Sequence, residues 1–314
     1  MLMNSDDRVL PFQVEGLDVR GRVVRLGPAI DAVLARHSYP PPVSKVLGEA
    51  VALTVLLGSS LKIDGRFQLQ TRTDGAIDML VVDFEAPDRM RAYARFDEER
   101  LSAANGAPTG ELLGKGHLAM TVEPGAEMSR YQGVVPLDGG GLEDAAHEYF
   151  RQSEQIPTRV RLAVAEALGA GEHAWRAGGI LVQFLPDSGE HVRDLPGGDV
   201  PESAMPDPVD DDDAWMEAKS LVETVEDHEL IDPTIASEEL LYRLFHERGV
   251  RVFQQQEVRH SCRCSQERIL GMLRSFSDEE KRDMIDDDGQ VNVTCEFCSA
   301  KYSVAPKDIG IEPN

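Results

Sequence analysis

The chain contains little positive charge. Of its 314 residues, 32 are Lys or Arg and 56 are Asp or Glu, so the formal net charge is −24. A nucleic-acid binder has to neutralise phosphates with Lys and Arg, and a protein that binds an anionic membrane surface needs a basic patch. The composition therefore argues against nucleic acid and against a membrane as partners.

A long hydrophobic run is also missing. The most apolar stretch, Ala50 to Leu57, has eight residues, whereas a membrane-spanning helix needs about 20. The opening residues, MLMNSDDRVLPF, lack the basic region and apolar core of a signal peptide. We therefore expect a soluble, cytoplasmic protein whose cysteines do not form a disulfide scaffold.

The first 185 residues lack a catalytic signature. They contain no G-x-S-x-G or H-E-x-x-H motif, and the run from Gly110 to Lys115 has neither the spacing nor the Ser/Thr of a phosphate loop. The glycines at 139–141 predict a hairpin or loop. His117 and His147 each stand alone, so we expect structural roles for both and no enzymatic activity.

Strand and helix patterns are mixed in these 185 residues. Longer apolar periodicities predict helices at 29–37, 43–61 and 142–155. Short β-prone runs predict strands at 19–26, 66–73, 77–84, 90–96, 117–123, 159–165 and 180–185. Because the order has no regular βαβ rhythm, we expect an α+β fold in this N-terminal domain.

The negative charge is concentrated in one segment. Residues 1–185 have a net charge of −6, residues 186–249 a net charge of −15 and residues 250–314 a net charge of −3. The stretch 186–214 holds five prolines and ten acids against one Arg. It has almost nothing apolar to bury, so we expect a disordered or weakly ordered linker there.

Two amphipathic helices are predicted after this stretch. Ser237 is the expected N-cap of the second helix. Their apolar positions recur at helical spacing and are Trp215, Ala218, Leu221, Val222 and Val225, then Leu240, Leu241, Leu244 and Phe245. Two readings stay open. Either they are ordinary surface helices packed on a core, or they form a metastable region. Such a region would dock through its apolar face, while the like charges on its other face repel one another.

All four cysteines lie in the last 53 residues, as two close pairs. Cys262 and Cys264 are separated by thirty residues from Cys295 and Cys298. This spacing in a cytosolic protein points to a tetrahedral zinc site with four thiolate ligands. His260 is a substitute ligand that four available thiolates make unnecessary.

The segment around these pairs of about 55 residues has a small core, so a metal would contribute much of its folding free energy. It predicts two short helices, the second with a capping box of Ser277 and Glu280, followed by a strand at 291–294. A permanently structural zinc ribbon is one reading. However, each pair can also close a disulfide within itself, in a loop too small to staple the fold. Exchanging zinc for two such disulfides would unfold the segment.

These residues resemble the 33 kDa chaperonin (heat shock protein 33) family of bacterial redox-regulated chaperones. The resemblance extends beyond the C-x-C…C-x-x-C tail and covers nearly the whole chain in the family order. The matching motifs are YPPPVSKVLG at 39–48, YQGVVPL at 131–137, YFRQSEQIPTR at 149–159, GGIL at 178–181 and LFHE at 244–247.

The resemblance implies a holdase that is compact, monomeric and inactive when reduced with one Zn²⁺ on Cys262, Cys264, Cys295 and Cys298. Oxidation then forms the disulfides Cys262–Cys264 and Cys295–Cys298, releases zinc and unfolds the tail and linker. The active form dimerises and binds unfolding client proteins without ATP. The chain would divide into an N-terminal body (1–185), a helical metastable linker (186–249) and a small C-terminal zinc-binding domain (250–314).

Two other functions compete with this one. A thiol–disulfide oxidoreductase would place Cys295 and Cys298 at a helix N-terminus in a βαβ setting, whereas here a β-like run precedes them. A constitutive zinc-ribbon interaction module fits the cysteines as well, although the tail has nine bases against twelve acids, which disfavours nucleic acid.

Overall fold

The computed structural model describes residues 6–60, 65–124, 129–169, 172–185 and 212–311. Within these ranges the strands are β1 (Arg8–Val14), β2 (Val19–Leu26), β3 (Gly65–Thr73), β4 (Ile77–Glu85), β5 (Arg89–Phe96), β6 (Lys115–Pro124), β7 (Tyr131–Asp138), β8 (Thr158–Gly169), β9 (Glu172–Phe184), β10 (Val250–Val252), β11 (Gln256–Glu257), β12 (Arg259–His260), β13 (Val291–Thr294) and β14 (Lys301–Val304). The helices are α1 (Pro28–Leu34), α2 (Pro41–Gly58), α3 (Glu98–Ala103), α4 (Thr109–Leu113), α5 (Leu142–Tyr149), α6 (Asp213–Glu223), α7 (Asp227–Ile231), α8 (Ser237–Phe245), α9 (Gln266–Arg274) and α10 (Asp278–Asp283).

Two large sheets form the body. Sheet A has the order β10-β1-β2-β9-β8, with β11 also paired to β1, and sheet B has the order β12-β5-β4-β3-β6-β7. The pairs are antiparallel except for β12, which runs parallel to β5. Sheets of mainly antiparallel strands with helices packed on them make an α+β protein, and the expected fold class is confirmed.

Helix α2 is the centre of the body. It contacts strands of both sheets, and its residues belong to the larger apolar cluster of the protein. With its 18 residues, α2 is long and apolar enough to cross a membrane. The shortness of the run from Ala50 to Leu57 therefore does not by itself exclude a membrane-spanning helix. However, 78% of the helix is buried inside the protein, which makes it a core helix.

The helices α6, α7 and α8 cover the opposite, outer face of sheet A. Their buried residues, led by Trp215, Ala218, Val222, Leu240 and Phe245, form one apolar cluster with that face of the sheet. The rings of Phe12 and Phe245 lie 5.8 Å apart. Both predicted amphipathic helices are therefore present and docked. The acidic, proline-rich residues 186–211 lie outside the described residues.

The C-terminal part is small. Helices α9 and α10 pack beside the hairpin of β13 and β14, around five buried apolar side chains: Leu273, Val291, Val304, Ile309 and Ile311. The predicted capping box is confirmed, since Glu280 N–H donates to Ser277 Oγ and Ser277 N–H donates to the Glu280 carboxylate. Five such side chains are a small core for a stable fold.

Several local predictions need correction. The helix predicted at 142–155 ends as α5 at Tyr149, and one π turn continues to Glu154. Ser237 is not an N-cap, because Ala236 takes that position without a side-chain hydrogen bond. The short strands β10, β11 and β12 were not predicted, since two or three residues carry no clear alternation.

His147 and the glycine run behave as expected from the sequence. His147 accepts a hydrogen bond from Val160 N–H at 2.9 Å, and burial lowers its pKa to about 4. His117 lies exposed on β6. The glycines at 139–141 form the turn between β7 and α5, with Gly139 in the left-handed region.

Candidate metal centre

Two tight turns bring the four cysteines together. Cys262 and Cys264 lie between β12 and α9, and Cys295 and Cys298 lie in the turn that joins β13 to β14. Ser299 N–H donates to Cys295 O at 2.8 Å and Cys295 N–H donates to the carbonyl of Ala300 at 2.9 Å, which closes the second turn. The C-x-x-C motif is therefore in a β-hairpin and not at the helix N-terminus that an oxidoreductase would use.

The sulfur positions fit a tetrahedral metal. All four Sγ atoms lie within 4.8 Å of one another. The Cys262–Cys295 and Cys264–Cys298 sulfur distances are 3.7 Å and 3.2 Å. Zn–S bonds of about 2.3 Å in a tetrahedron place neighbouring sulfurs about 3.8 Å apart. Four soft thiolate donors at this spacing fit zinc, and His260 is not part of this group.

The thiols differ in acidity. Burial raises the pKa of Cys298 and also that of Cys295. Burial acts in the same sense on Cys262, but hydrogen bonds from the backbone and thiol of Cys264 and from the other two thiols outweigh it and lower the pKa of Cys262 to about 7. Cys262 is therefore the thiol that becomes a thiolate, the form that binds metal and reacts with oxidants, most readily.

Both cysteine turns dock on sheet B through the residues between the cysteines, the first on β4 and the second on the adjacent β5. Arg263, between the first pair, lies 3.7 Å from the carboxylate of Asp83 and 3.5 Å from that of Glu85. Phe297, between the second pair, packs edge-on against Tyr93 at 4.9 Å and lies under the guanidinium of Arg91 at 3.9 Å. Arg263 and Phe297, which lie between the two cysteines of each pair, thus fix the candidate metal centre to the body.

Asp83, which forms an ion pair with Arg263, is a buried charge. Asp83 is 2% exposed and pairs with Arg91 at 2.6 Å and Arg66 at 3.4 Å as well as with Arg263. Gln68 donates to the same carboxylate at 2.8 Å. Three cations around one buried carboxylate make removal of that carboxylate costly. Sequence reasoning did not find this cluster, because its members are scattered over three strands and the tail.

A second cluster fixes the helices on sheet A. Arg25, on β2, is 1% exposed and donates to the carbonyls of Glu229, Leu230 and Asp232 at 2.6, 3.1 and 3.0 Å. Its Nε donates to Ser237 Oγ at 3.2 Å, which is the role this serine has instead of capping a helix.

A second arginine continues the same row of contacts. Arg176, on β9, donates to the carbonyl of Ile231 at 2.6 Å. Two guanidinium groups therefore satisfy four successive carbonyls at the C-terminal end of α7, where a helix leaves its carbonyls without partners. Gly178 permits this approach, because a Cβ there would lie 2.2 Å from the carbonyl oxygen of Leu230.

The structure therefore defines an α+β protein with four clustered cysteines that could hold a metal ion in a small tail, and with an apolar sheet face covered by helices of the same chain. Comparison with known proteins assigns this class to a family. The family model described as Hsp33 protein matches residues 7–305. The chain belongs to the Hsp33 family, and the resemblance found in the sequence is confirmed.

Relatives and a solved structure agree with this assignment. A "33 kDa chaperonin" of Caulobacter vibrioides is 46% identical over 307 residues, which cover 96% of this chain and 95% of the relative. A protein of the same name from Pseudomonas putida is 36% identical over 299 residues, which cover 95% and 90%. The crystal structure of the Thermotoga maritima 33 kDa chaperonin has a TM-score of 0.75 at 20% identity and covers 96% of both chains, which supports the same fold. Membership of this family supports a chaperone function.

Proposed function

We propose that the protein is a cytoplasmic, redox-regulated holdase that binds unfolding proteins without ATP. In the reduced state one Zn²⁺ on the four thiolates keeps it inactive and monomeric. Oxidation of the cysteines releases zinc and exposes an apolar surface, after which the active form dimerises. The observation that carries the proposal is that one continuous segment, residues 212–311, both covers the outer face of sheet A and ends in the metal centre.

The metal supports the tail more than its core does. Five buried apolar side chains hold the tail together, while zinc in a thiolate site contributes roughly 10–16 kcal/mol of apparent binding free energy at neutral pH. Loss of the metal therefore removes the larger part of the tail's stability. The docking contacts of Arg263 and Phe297 would be lost with it, because both residues lie between ligands.

Oxidation provides the step that removes the metal. We propose the disulfides Cys262–Cys264 and Cys295–Cys298, following the family resemblance. One hydrogen peroxide accepts two electrons from each thiolate pair and two protons from solvent, and it is reduced to two water molecules as one S–S bond forms. The mutual approach of the four sulfurs within 4.8 Å supports disulfide formation in this cluster, and the pairing within each motif rests on the family resemblance. A disulfide sulfur is no longer a thiolate, so the metal loses its ligands.

Unfolding of the tail would then reach the helices on sheet A. Strand β10, which immediately follows α8, pairs with β1 at the edge of sheet A. Residues 212–249 carry eleven acids against three bases, so this cover repels itself once it leaves the sheet. We propose that the outer face of sheet A becomes the client surface once the helices leave it. The side chains of this face that the helices bury are Leu10, Phe12, Val14, Val19, Val23, Ile180, Val182 and Phe184.

The organisation proposed for the chain follows from this sequence of events. The body (1–185) supplies the client surface, the linker (186–249) covers it and the tail (250–314) senses oxidation. Strands β10, β11 and β12 connect the tail to the edges of both sheets, which supports transmission of unfolding from one unit to the next.

The decisive experiment compares three states of the full chain in an aggregation assay with a heat-unfolded client and no ATP. Reduced, zinc-bound protein should suppress aggregation weakly, and peroxide-oxidised protein should suppress it strongly while a chromogenic chelator reports release of one zinc. Reduced protein stripped of zinc separates metal loss from disulfide formation. Equal suppression by the reduced, zinc-bound and oxidised states would exclude the redox switch.

A further inference from the structure

A cavity in the body lies between the two sheets, away from the metal centre and from the linker helices. Its volume is about 300 Å³, and its wall is mainly apolar, with Leu56, Phe67, Phe150 and Leu181 among the lining side chains. These residues come from α2, β3, the π turn after α5 and β9. The cavity therefore penetrates the apolar layer that the two sheets share.

One cation that lines this cavity, Arg22, is only partly buried, and one of its donors lacks a partner among the described residues. Arg22, on β2, has a buried Nε that makes no hydrogen bond, and no ion pair joins Arg22 to any carboxylate among the described residues. Burial lowers the pKa of its guanidinium. By contrast, Arg25 lies three residues further on and faces the opposite side of the strand. Each of its three guanidinium nitrogens donates a hydrogen bond to the linker.

The polar groups in the wall do not supply the missing partner. Glu154 accepts a hydrogen bond from the hydroxyl of Tyr149 at 2.9 Å. Gln183, beside it, contacts Thr158 Oγ1 at 3.5 Å. A buried guanidinium N–H without an acceptor is costly, and such a donor in a folded protein calls for a partner. The acceptor that suits a guanidinium best is a carboxylate, which takes two of its N–H groups.

We propose that this cavity binds a small amphiphilic carboxylate, with an unbranched hydrocarbon chain in the apolar wall and its carboxylate on Arg22. The cavity has the size of a small ligand pocket and combines apolar walls with one orienting charge, as such pockets do. Each CH₂ group removed from water should strengthen binding about fourfold until the cavity is full. Affinity should therefore rise from hexanoate to octanoate to decanoate.

The test uses the reduced, zinc-bound full chain, with calorimetry and melting temperature as readouts. Decanoate below its micelle concentration should bind saturably and raise the melting temperature, since a ligand that binds the native state stabilises it. Decanol and acetate, which lack the charge and the chain respectively, should bind at least tenfold more weakly. Equal binding of decanol and decanoate, or no saturable binding, would overturn the proposal.

Variants on one strand face make the test specific. Arg22→Met should weaken decanoate binding at least tenfold and should melt at or above the wild-type temperature without ligand, because a buried N–H without an acceptor is removed. Arg20→Met is the matched control, since Arg20 is exposed two residues earlier on the same face of β2. Unchanged decanoate affinity in Arg22→Met, or an equal loss in both variants, would refute a carboxylate site at Arg22.

Discussion

Replacement of Arg25 by Met tests the docking of the linker helices separately from the metal centre. The side chain lies under α7 and α8 and donates to three carbonyls and to Ser237 Oγ, all of which belong to the linker. Met retains most of the aliphatic stem of Arg but none of its donors. The substitution therefore weakens the docked helices directly and leaves the four cysteines untouched.

The loss can be estimated from these contacts. Removing one partner of a buried, charged hydrogen-bond network costs about 3–5 kcal/mol, because the groups left behind stay buried without partners. Every 1.4 kcal/mol is a factor of about ten in an equilibrium. A loss of about 4 kcal/mol therefore raises the undocked fraction of the linker by roughly 10³. Arg176 retains its contact with the carbonyl of Ile231, which keeps the loss from being larger.

Reduced Arg25→Met should therefore bind one zinc and, unlike the reduced wild type, suppress client aggregation without being oxidised. Hydrogen exchange should show lower protection in 213–245, with unchanged protection in strands β3 and β6 of sheet B. Arg20→Met, a charge loss of equal size at an exposed site of the same strand, should behave as wild type. If the reduced, zinc-bound Arg25 variant stays inactive and 213–245 keeps its protection, the linker is not held by this arginine.

Three further outcomes are expected. Chelation of zinc under reducing conditions should abolish exchange protection across residues 262–311 and leave sheet B unchanged, because the core of the tail is small; persistent protection would contradict this. Asp83→Asn should lower the free energy of unfolding by about 3–5 kcal/mol in a denaturant titration, since three arginines lose one buried carboxylate. Gly178→Ala should undock α7, because its Cβ would lie 2.2 Å from Leu230 O, and exchange across 227–231 would report it.

The pH dependence of stability belongs with these expectations. Unfolded chain binds a proton on His147 near its ordinary pKa of about 6.5, whereas burial lowers the native pKa to about 4. The unfolded state therefore holds more protons between these values, so the native state loses stability as the pH falls through this window. His147→Gln, which keeps an acceptor for Val160 N–H, should flatten that part of the curve of stability against pH.

Short-range patterns were sufficient for much of the fold and for the cysteines of the candidate metal centre. The strands at 19–26 and 291–294, the capping box at Ser277 and the two cysteine pairs each depend on residues a few positions apart. A capping box is a contact between residues three apart, and a thiolate site needs two close pairs, so both can be read locally.

Contacts between distant residues could not be predicted in this way. Ser237 has the residue type of an N-cap but is the first residue of α8, and its hydroxyl accepts from Arg25, 212 positions away. Arg263 and Phe297 are only spacers between cysteines in the sequence, and their function as docking groups depends on where β4 and β5 place Asp83, Arg91 and Tyr93.

The sequence by itself determined the class of fold, the four thiols of the candidate metal centre and the local concentration of negative charge, because composition, periodicity and close spacing follow from neighbouring residues. The tertiary structure decided which surfaces these features serve. It placed the acidic helices on the apolar face of sheet A, directed Arg25 to their carbonyls and left the Nε of Arg22 without an acceptor in the wall of a cavity. Two arginines on one strand differ in this way because alternate residues of a strand face opposite sides of its sheet.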